Sequence, residues 1–198
     1  VGFSFALTHG MSNFLRLLDG ARSMDRHFFT APLTQNLPVL RGLVEHWNRV
    51  ALDYRSRCVV PYDVRLTHLS AYLQQLEMES NGKSVRRDGE PVEQPTAPIV
   101  WGGVGTDAQH AFFQALHQGT QVVPVEFIGV IQPAHEHEAH HRVLLANLLA
   151  QSAALAHGHD TRDSGDTLAA HKHHGGNRPS TVILLDALTP ESLGALIA

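Results

Sequence analysis

A single cysteine in 198 residues leaves Cys58 without an internal disulfide partner. That excludes a disulfide-stapled scaffold and fits a reducing, cytoplasmic compartment. Its neighbours Val59 and Val60 mark it as a small buried hydrophobe rather than a nucleophile. Charge is also sparse, with Asp, Glu, Lys and Arg at 17% of the chain and a formal net charge of −4. The 15 Lys and Arg are scattered and outnumbered by 19 Asp and Glu, which argues against nucleic acid as a partner. Long hydrophobic runs are missing as well. Stretches such as 143–149 are too short and too interrupted to span a bilayer, so no membrane role is expected. The chain opens on Val1-Gly2-Phe3 and stops inside an apolar helical pattern at Leu196-Ile197-Ala198, so it reads as cut at both ends.

What is present is 43% hydrophobic content in alternating patterns, enough for one good core. Helical spacing appears over residues 11–29 and again over 37–52 after the turn-like Thr34-Gln35-Asn36. Short apolar runs at 58–61, 97–101, 121–131 and 181–185 read as strands. Between them lie helical patterns at 66–76 and at 142–155, the latter with Leu144, Leu145, Leu148, Leu149 and Leu155 expected on one stripe. Thr189-Pro190-Glu191 opens a last helix, with threonine as N-cap and proline at the first helical position. Strands alternating with helices predict an α/β layered fold on a mostly parallel sheet, with ligands at the carboxyl ends of the strands. Residues 158–179 mix Gly, Asp, Ser and His without period and read as a surface loop, with a short helix expected around 167–170.

Two element boundaries carry the chemistry. The helix over 66–76 ends at Glu77-Met78-Glu79 and the turn chemistry of Ser80-Asn81-Gly82-Lys83. A carboxylate at a helix C-terminus is disfavoured by the dipole yet reachable by ligand, a placement that suits a general base. Lys83 follows a glycine but lacks the spacing of a phosphate loop, and reads as a surface residue or turn anchor. The second boundary is Gly102-Gly103-Val104-Gly105, which follows a strand and leads into a helix. Thr106 and Gln109 form a capping-box pattern there, which would put His110 in the first turn, where a neutral ring is favoured. One carboxylate, Glu79, and one imidazole, His110, point to acid–base chemistry.

Histidine is abundant: His135, His137, His140 and His141 cluster, and His157, His159, His171, His173 and His174 follow. No pair stands at firm helical ligand spacing with a carboxylate or cysteine partner, so no metal site is assigned.

With these motifs in view, the chain resembles the phosphoglucose isomerase family. The carrying segments are Ala71-Tyr72-Leu73-Gln74-Gln75, Met78-Glu79-Ser80-Asn81-Gly82-Lys83-Ser84, Pro98-Ile99-Val100-Trp101-Gly102 and Gly105-Thr106 with Gln109-His110-Ala111-Phe112. Further matches are His117-Gln118-Gly119-Thr120, His140-His141 with Leu144-Leu145-Ala146-Asn147, Gly176-Asn177-Arg178-Pro179 and Leu193-Gly194-Ala195-Leu196-Ile197-Ala198. The resemblance implies aldose–ketose isomerisation of glucose 6-phosphate and fructose 6-phosphate through an enediol, without metal or organic cofactor. It implies Glu79 as general base, Gln75 as a substrate contact, and His110 as the ring-opening histidine contributed across a homodimer interface. The implied fold is the three-layer sugar-isomerase (SIS) domain, with residues 1–198 as a single, incomplete copy of it. Around the histidine, Asp107 and Ala108 stand where the family usually has Asn and Gly, and Gly103 and Val104 where it has Glu and Pro. The family's phosphate-cradling loop, an upstream arginine and a C-terminal lysine have no counterpart here, so the segment alone is expected to be weak or inactive. The alternative expectation is a non-catalytic sugar-phosphate-binding module of the same fold.

Overall fold

Residues Arg57 to Pro61 are buried without interruption, so strand β1 (Ser56–Pro61) requires a covering layer on each face. The computed structural model describes residues 2–162 and 165–198. Before β1 come helices α1 (Phe3–Thr30) and α2 (Leu37–His46) and a π-helical turn, Trp47–Ala51. After it come α3 (Leu69–Leu73), the π-helical turn Gln74–Glu79, β2 (Ile99–Gly102), α4 (Gly105–Ala111), α5 (Phe113–Gln118) and β3 (Val125–Val130). The chain finishes with α6 (Glu138–His157), α7 (Ala169–Lys172), β4 (Ser180–Leu185) and α8 (Pro190–Ile197).

The sheet order is β2-β1-β3-β4, with β1 parallel to both neighbours and Cys58 set opposite Trp101 on one side and Val125 on the other. Alternation sends Cys58, Val60, Val125 and Phe127 to one face. There they pack with Ala108 of α4, Phe113 and Leu116 of α5, and Leu148 and Leu155 of α6. The Val, Leu and Phe side chains among them each contribute roughly 1.5–3 kcal/mol by leaving water. On the other face, Ser70 of α3 donates from Oγ to the Val59 carbonyl at 3.1 Å. Helices on both faces of a parallel sheet are the expected three-layer α/β arrangement.

Two compact units are distinguished. One comprises the helices up to Trp47 together with Leu185–Ala198, and the other is Asn48–Leu184. Within the first, α1 and α8 cross with backbones in contact: a Cβ on Gly20 would fall on the Glu191 carbonyl, and one on Gly194 on the Leu17 carbonyl. Arg16 clamps Glu191 with two hydrogen bonds, 2.5 and 3.0 Å. Thr189 caps α8 as expected, its Oγ1 accepting from Ser192 N at 3.2 Å. Asn36 caps α2 by accepting from Val39 N, and its amide donates to the Phe28 carbonyl at 2.7 Å.

Several expected elements differ in extent. Helix α1 begins well before residue 11, although Gly10 interrupts it with φ 83°. The strand expected over 121–131 is confined to β3, because Pro124 has no N–H for the ladder. The leucine stripe of α6 is narrower than expected. Leu148 and Leu155 are buried and Leu144 packs against them, while Leu149, about 100° round the helix from Leu148, is 52% exposed. The 158–179 stretch holds α7 and an antiparallel bridge between His159 and His174; Asp163 and Ser164 lie outside the described residues.

Candidate functional site

The helix expected over 66–76 is resolved into three pieces: a 3-10 turn at Val64–Leu66, the single turn of α3, and the π-helical turn Gln74–Glu79. The change to a wider turn follows from what its residues grip. Gln74 donates from Nε2 to the Val100 carbonyl at 3.0 Å, and the Met78 sulfur accepts from Val100 N at 3.3 Å, fastening the turn to β2. Glu77 accepts from Arg57 of β1 at 2.6 Å. Three of the six residues are thereby held against the sheet. The remaining pair of functional interest, Gln75 and Glu79, stand one turn apart with exposed side chains. Turns of this wide type recur at functional sites.

The end of the turn is closed by backbone. Gly82 N bonds to the Met78 carbonyl at 3.0 Å, and the Lys83 ammonium donates to the Glu79 carbonyl, so Lys83 is the turn anchor its spacing suggested.

The second boundary departs from expectation. Gly102 ends β2 with φ 150°, and a Cβ there would fall on the Val59 carbonyl oxygen. A Cβ on Gly105 would likewise strike the Tyr62 ring. This close approach lets α4 start at Gly105, with Val104 as N-cap and no side-chain cap bond. The Thr106–Gln109 capping box therefore does not form. Gln109 instead donates from Nε2 to the Tyr62 hydroxyl at 2.8 Å. Burial raises the Tyr62 phenol above its ordinary value, partly offset by that hydrogen bond. His110 consequently lies in the last turn of α4, not the first, and the dipole argument for it falls away. It is exposed, and among the described residues no hydrogen bond or ion pair joins it to Glu79 or Gln75.

The Arg57–Glu77 pair is a feature that sequence reasoning missed. Its signal was an arginine inside an otherwise apolar strand, only 6% exposed in the structure. Asp63 is another: it caps the turn at Val64–Leu66 and binds Arg65 with two side-chain hydrogen bonds, 2.9 and 2.6 Å. Burial alone would raise its carboxyl, but Arg65 and the nearby His141 hold it below the usual range.

His141, His117 and His174 take structural positions. His141 is buried, its Nε2 2.8 Å from the Val130 carbonyl. His117 pairs through Nε2 with Gln151 at 2.9 Å and stacks on His174 at 5.6 Å between centroids. Burial first, then the neighbouring His117, His159 and His173, depress the His174 imidazole. His173 Nδ1 lies 3.2 Å from an Asp160 carboxylate oxygen. Among the described residues no three His, Cys, Asp or Glu side chains converge as a metal centre.

Comparison with known proteins follows the same pattern. A family model described as phosphoglucose isomerase matches residues 1–198. The chain is 55% identical over its whole length to a glucose-6-phosphate isomerase of Stenotrophomonas maltophilia (strain R551-3), covering 38% of that protein. It is 56% identical over 199 aligned residues to one of Rhizorhabdus wittichii, covering 39% of it. A solved glucose-6-phosphate isomerase of Chlamydia trachomatis superposes with a TM-score of 0.85 at 42% identity, over 95% of this chain and 36% of that one. The chain thus spans under two-fifths of the length of these relatives. With the parallel sheet, the anchored turn bearing Gln75 and Glu79, and a family match over every residue, this chain belongs to the phosphoglucose isomerase family.

Proposed function

We propose that this chain carries the proton-transfer part of an isomerase that interconverts glucose 6-phosphate and fructose 6-phosphate. The observation that carries the reading is the turn Gln74–Glu79: gripped by the sheet through Gln74, Glu77 and Met78, it leaves Gln75 and Glu79 displayed together. In this reading the Glu79 carboxylate takes the proton from C2 of the open-chain aldose, giving an enediolate, and the C2 hydroxyl proton passes to the oxygen on C1. Glu79 then returns the carbon proton to C1 as the C2 oxygen becomes the ketone, so no oxidant or cofactor is consumed. Gln75 orients the sugar hydroxyls beside it. His110 assists ring opening by moving a proton between the ring oxygen and the C1 hydroxyl. His110 is read as serving the partner's site in a homodimer, as the family resemblance implies. Residues 1–198 are read as part of one sugar-isomerase domain, working in the cytoplasm on a soluble sugar phosphate.

The test is a chimera in which this chain replaces the matching 198 residues of the Stenotrophomonas maltophilia relative. Formation of glucose 6-phosphate from fructose 6-phosphate, followed by a coupled dehydrogenase, is expected. Glu79→Gln is expected to remove turnover by at least about a thousandfold while sugar-phosphate binding persists. Binding without turnover in the unmutated chimera would mark a non-catalytic module instead.

A further inference from the structure

Glu79 reaches no partner through its carboxylate among the hydrogen bonds described, so its position depends on the turn that carries it. That turn has three side-chain anchors. Two of them, from Gln74 and Met78, end on the backbone of one residue, Val100 of the outer strand β2. These two bonds share a single pivot and leave the turn free to rock about it. The third runs to a different strand. Glu77 Oε1 meets Arg57 Nη2 at 2.6 Å, with side-chain exposures of 20% and 7%, and Arg57 belongs to the interior strand β1. Register places Arg57 directly opposite Val100, so the third anchor lies on the adjacent strand, off the line of the two Val100 bonds, and opposes rocking about them. Glu77 stands two residues before Glu79 and two after Gln75, at the middle of the segment whose ends do the chemistry. A charge-assisted bond in a mostly buried setting is short, directional and little screened.

We infer that the buried Arg57–Glu77 ion pair is a positioning device that sets the angle at which Glu79 meets the substrate carbon, a role that rests on the isomerase reading above. Proton abstraction from carbon is sensitive to sub-ångström placement of the base, whereas hydroxyl and phosphate contacts tolerate more. Loss of the pair should therefore lower kcat and leave KM nearly unchanged.

The experiment uses Glu77→Gln and Glu77→Asp, in the chimera for kinetics and in the 198-residue chain for amide hydrogen exchange. In Glu77→Gln, kcat is expected to fall on the order of ten- to a hundredfold with KM within about twofold. Glu77→Asp keeps the charge on a shorter arm and should recover part of kcat. In the chain itself, Glu77→Gln should cost amide protection at residues 75–79 while β1 and β3 keep theirs. Unchanged kcat in a folded variant overturns the inference, as does a fall in kcat that merely tracks the folded fraction or is matched in KM. Should Glu77→Gln fail to fold, Glu77→Asp alone decides by the same split of kcat and KM. An inactive parent chimera would count against the isomerase reading alone. The exchange result then decides whether the pair holds the turn: retained protection at 75–79 overturns the inference, and lost protection upholds the anchoring on which it rests.

Discussion

A methyl group at Gly102 would have to occupy the Val59 carbonyl oxygen, and φ 150° is a conformation that side-chain-bearing residues rarely adopt. Gly102→Ala is therefore expected to destabilise by about 3 kcal/mol or more, read as a lower urea midpoint with unchanged slope. Cys58 makes a second residue-scale prediction. Burial pushes its thiol up to about 12, so the folded state favours the neutral form. A raised folded value means its contribution is fully present below the unfolded value, roughly 8.5, and is lost as pH rises through the folded one. Alkylation at about pH 8 is expected to be negligible in the native chain and stoichiometric in denaturant, measured by mass. Both residues were partly legible in the sequence. Cys58 was followed by the apolar Val59 and Val60, and Gly102 stood at a strand end. That Gly102 backs onto Val59 was not legible, since the two meet only when β2 pairs with β1.

At the scale of elements, the helix–turn junction at Glu79 was readable from Ser80-Asn81-Gly82 chemistry, but its π-helical form was not. Turn width is decided by the distance from Gln74 and Met78 to Val100, a tertiary quantity. The start of α4 illustrates the opposite error. Thr106 and Gln109 obeyed the local capping rule, yet packing of Gly105 on the Tyr62 ring moved the helix start and turned Gln109 toward Tyr62. The loop that holds His174 supplies a pH prediction. His174 packs on His117 from α5 and neighbours His159 and His173, the last facing Asp160, which Arg162 also binds. Its folded pKa is lowered, so its contribution is present above the unfolded value of 6.5 and is lost as pH falls through the folded one. Amide protection at His159 and His174 is expected to decline between about pH 7 and pH 5. His174→Asn should flatten that dependence.

At the scale of the whole molecule, the relation between Glu79 and His110 is the decisive question. If each site takes its base from one subunit and its histidine from the other, two inactive chimeras can repair one another. Dimers assembled from Glu79→Gln and His110→Ala chains would contain one site with both residues intact. Mixing the two after denaturation and refolding is expected to restore a substantial part of the turnover. Continued inactivity of verified heterodimers would place both residues in one subunit's site. The repair cannot arise from either parent alone, so the readout isolates the shared-site arrangement.

The order of strands and helices, the apolar burial of Cys58-Val59-Val60, the cap at Thr189 and the family motifs around Gln75, Glu79 and His110 were all determined by the sequence. Each depends on residues close together in the chain, where side-chain period and backbone preference act directly. Only the tertiary structure decided which partner each group meets: Arg57 with Glu77, Gln109 with Tyr62, Gly20 with Glu191. Those pairings join residues remote in sequence, and their geometry comes into being when the sheet and helices pack.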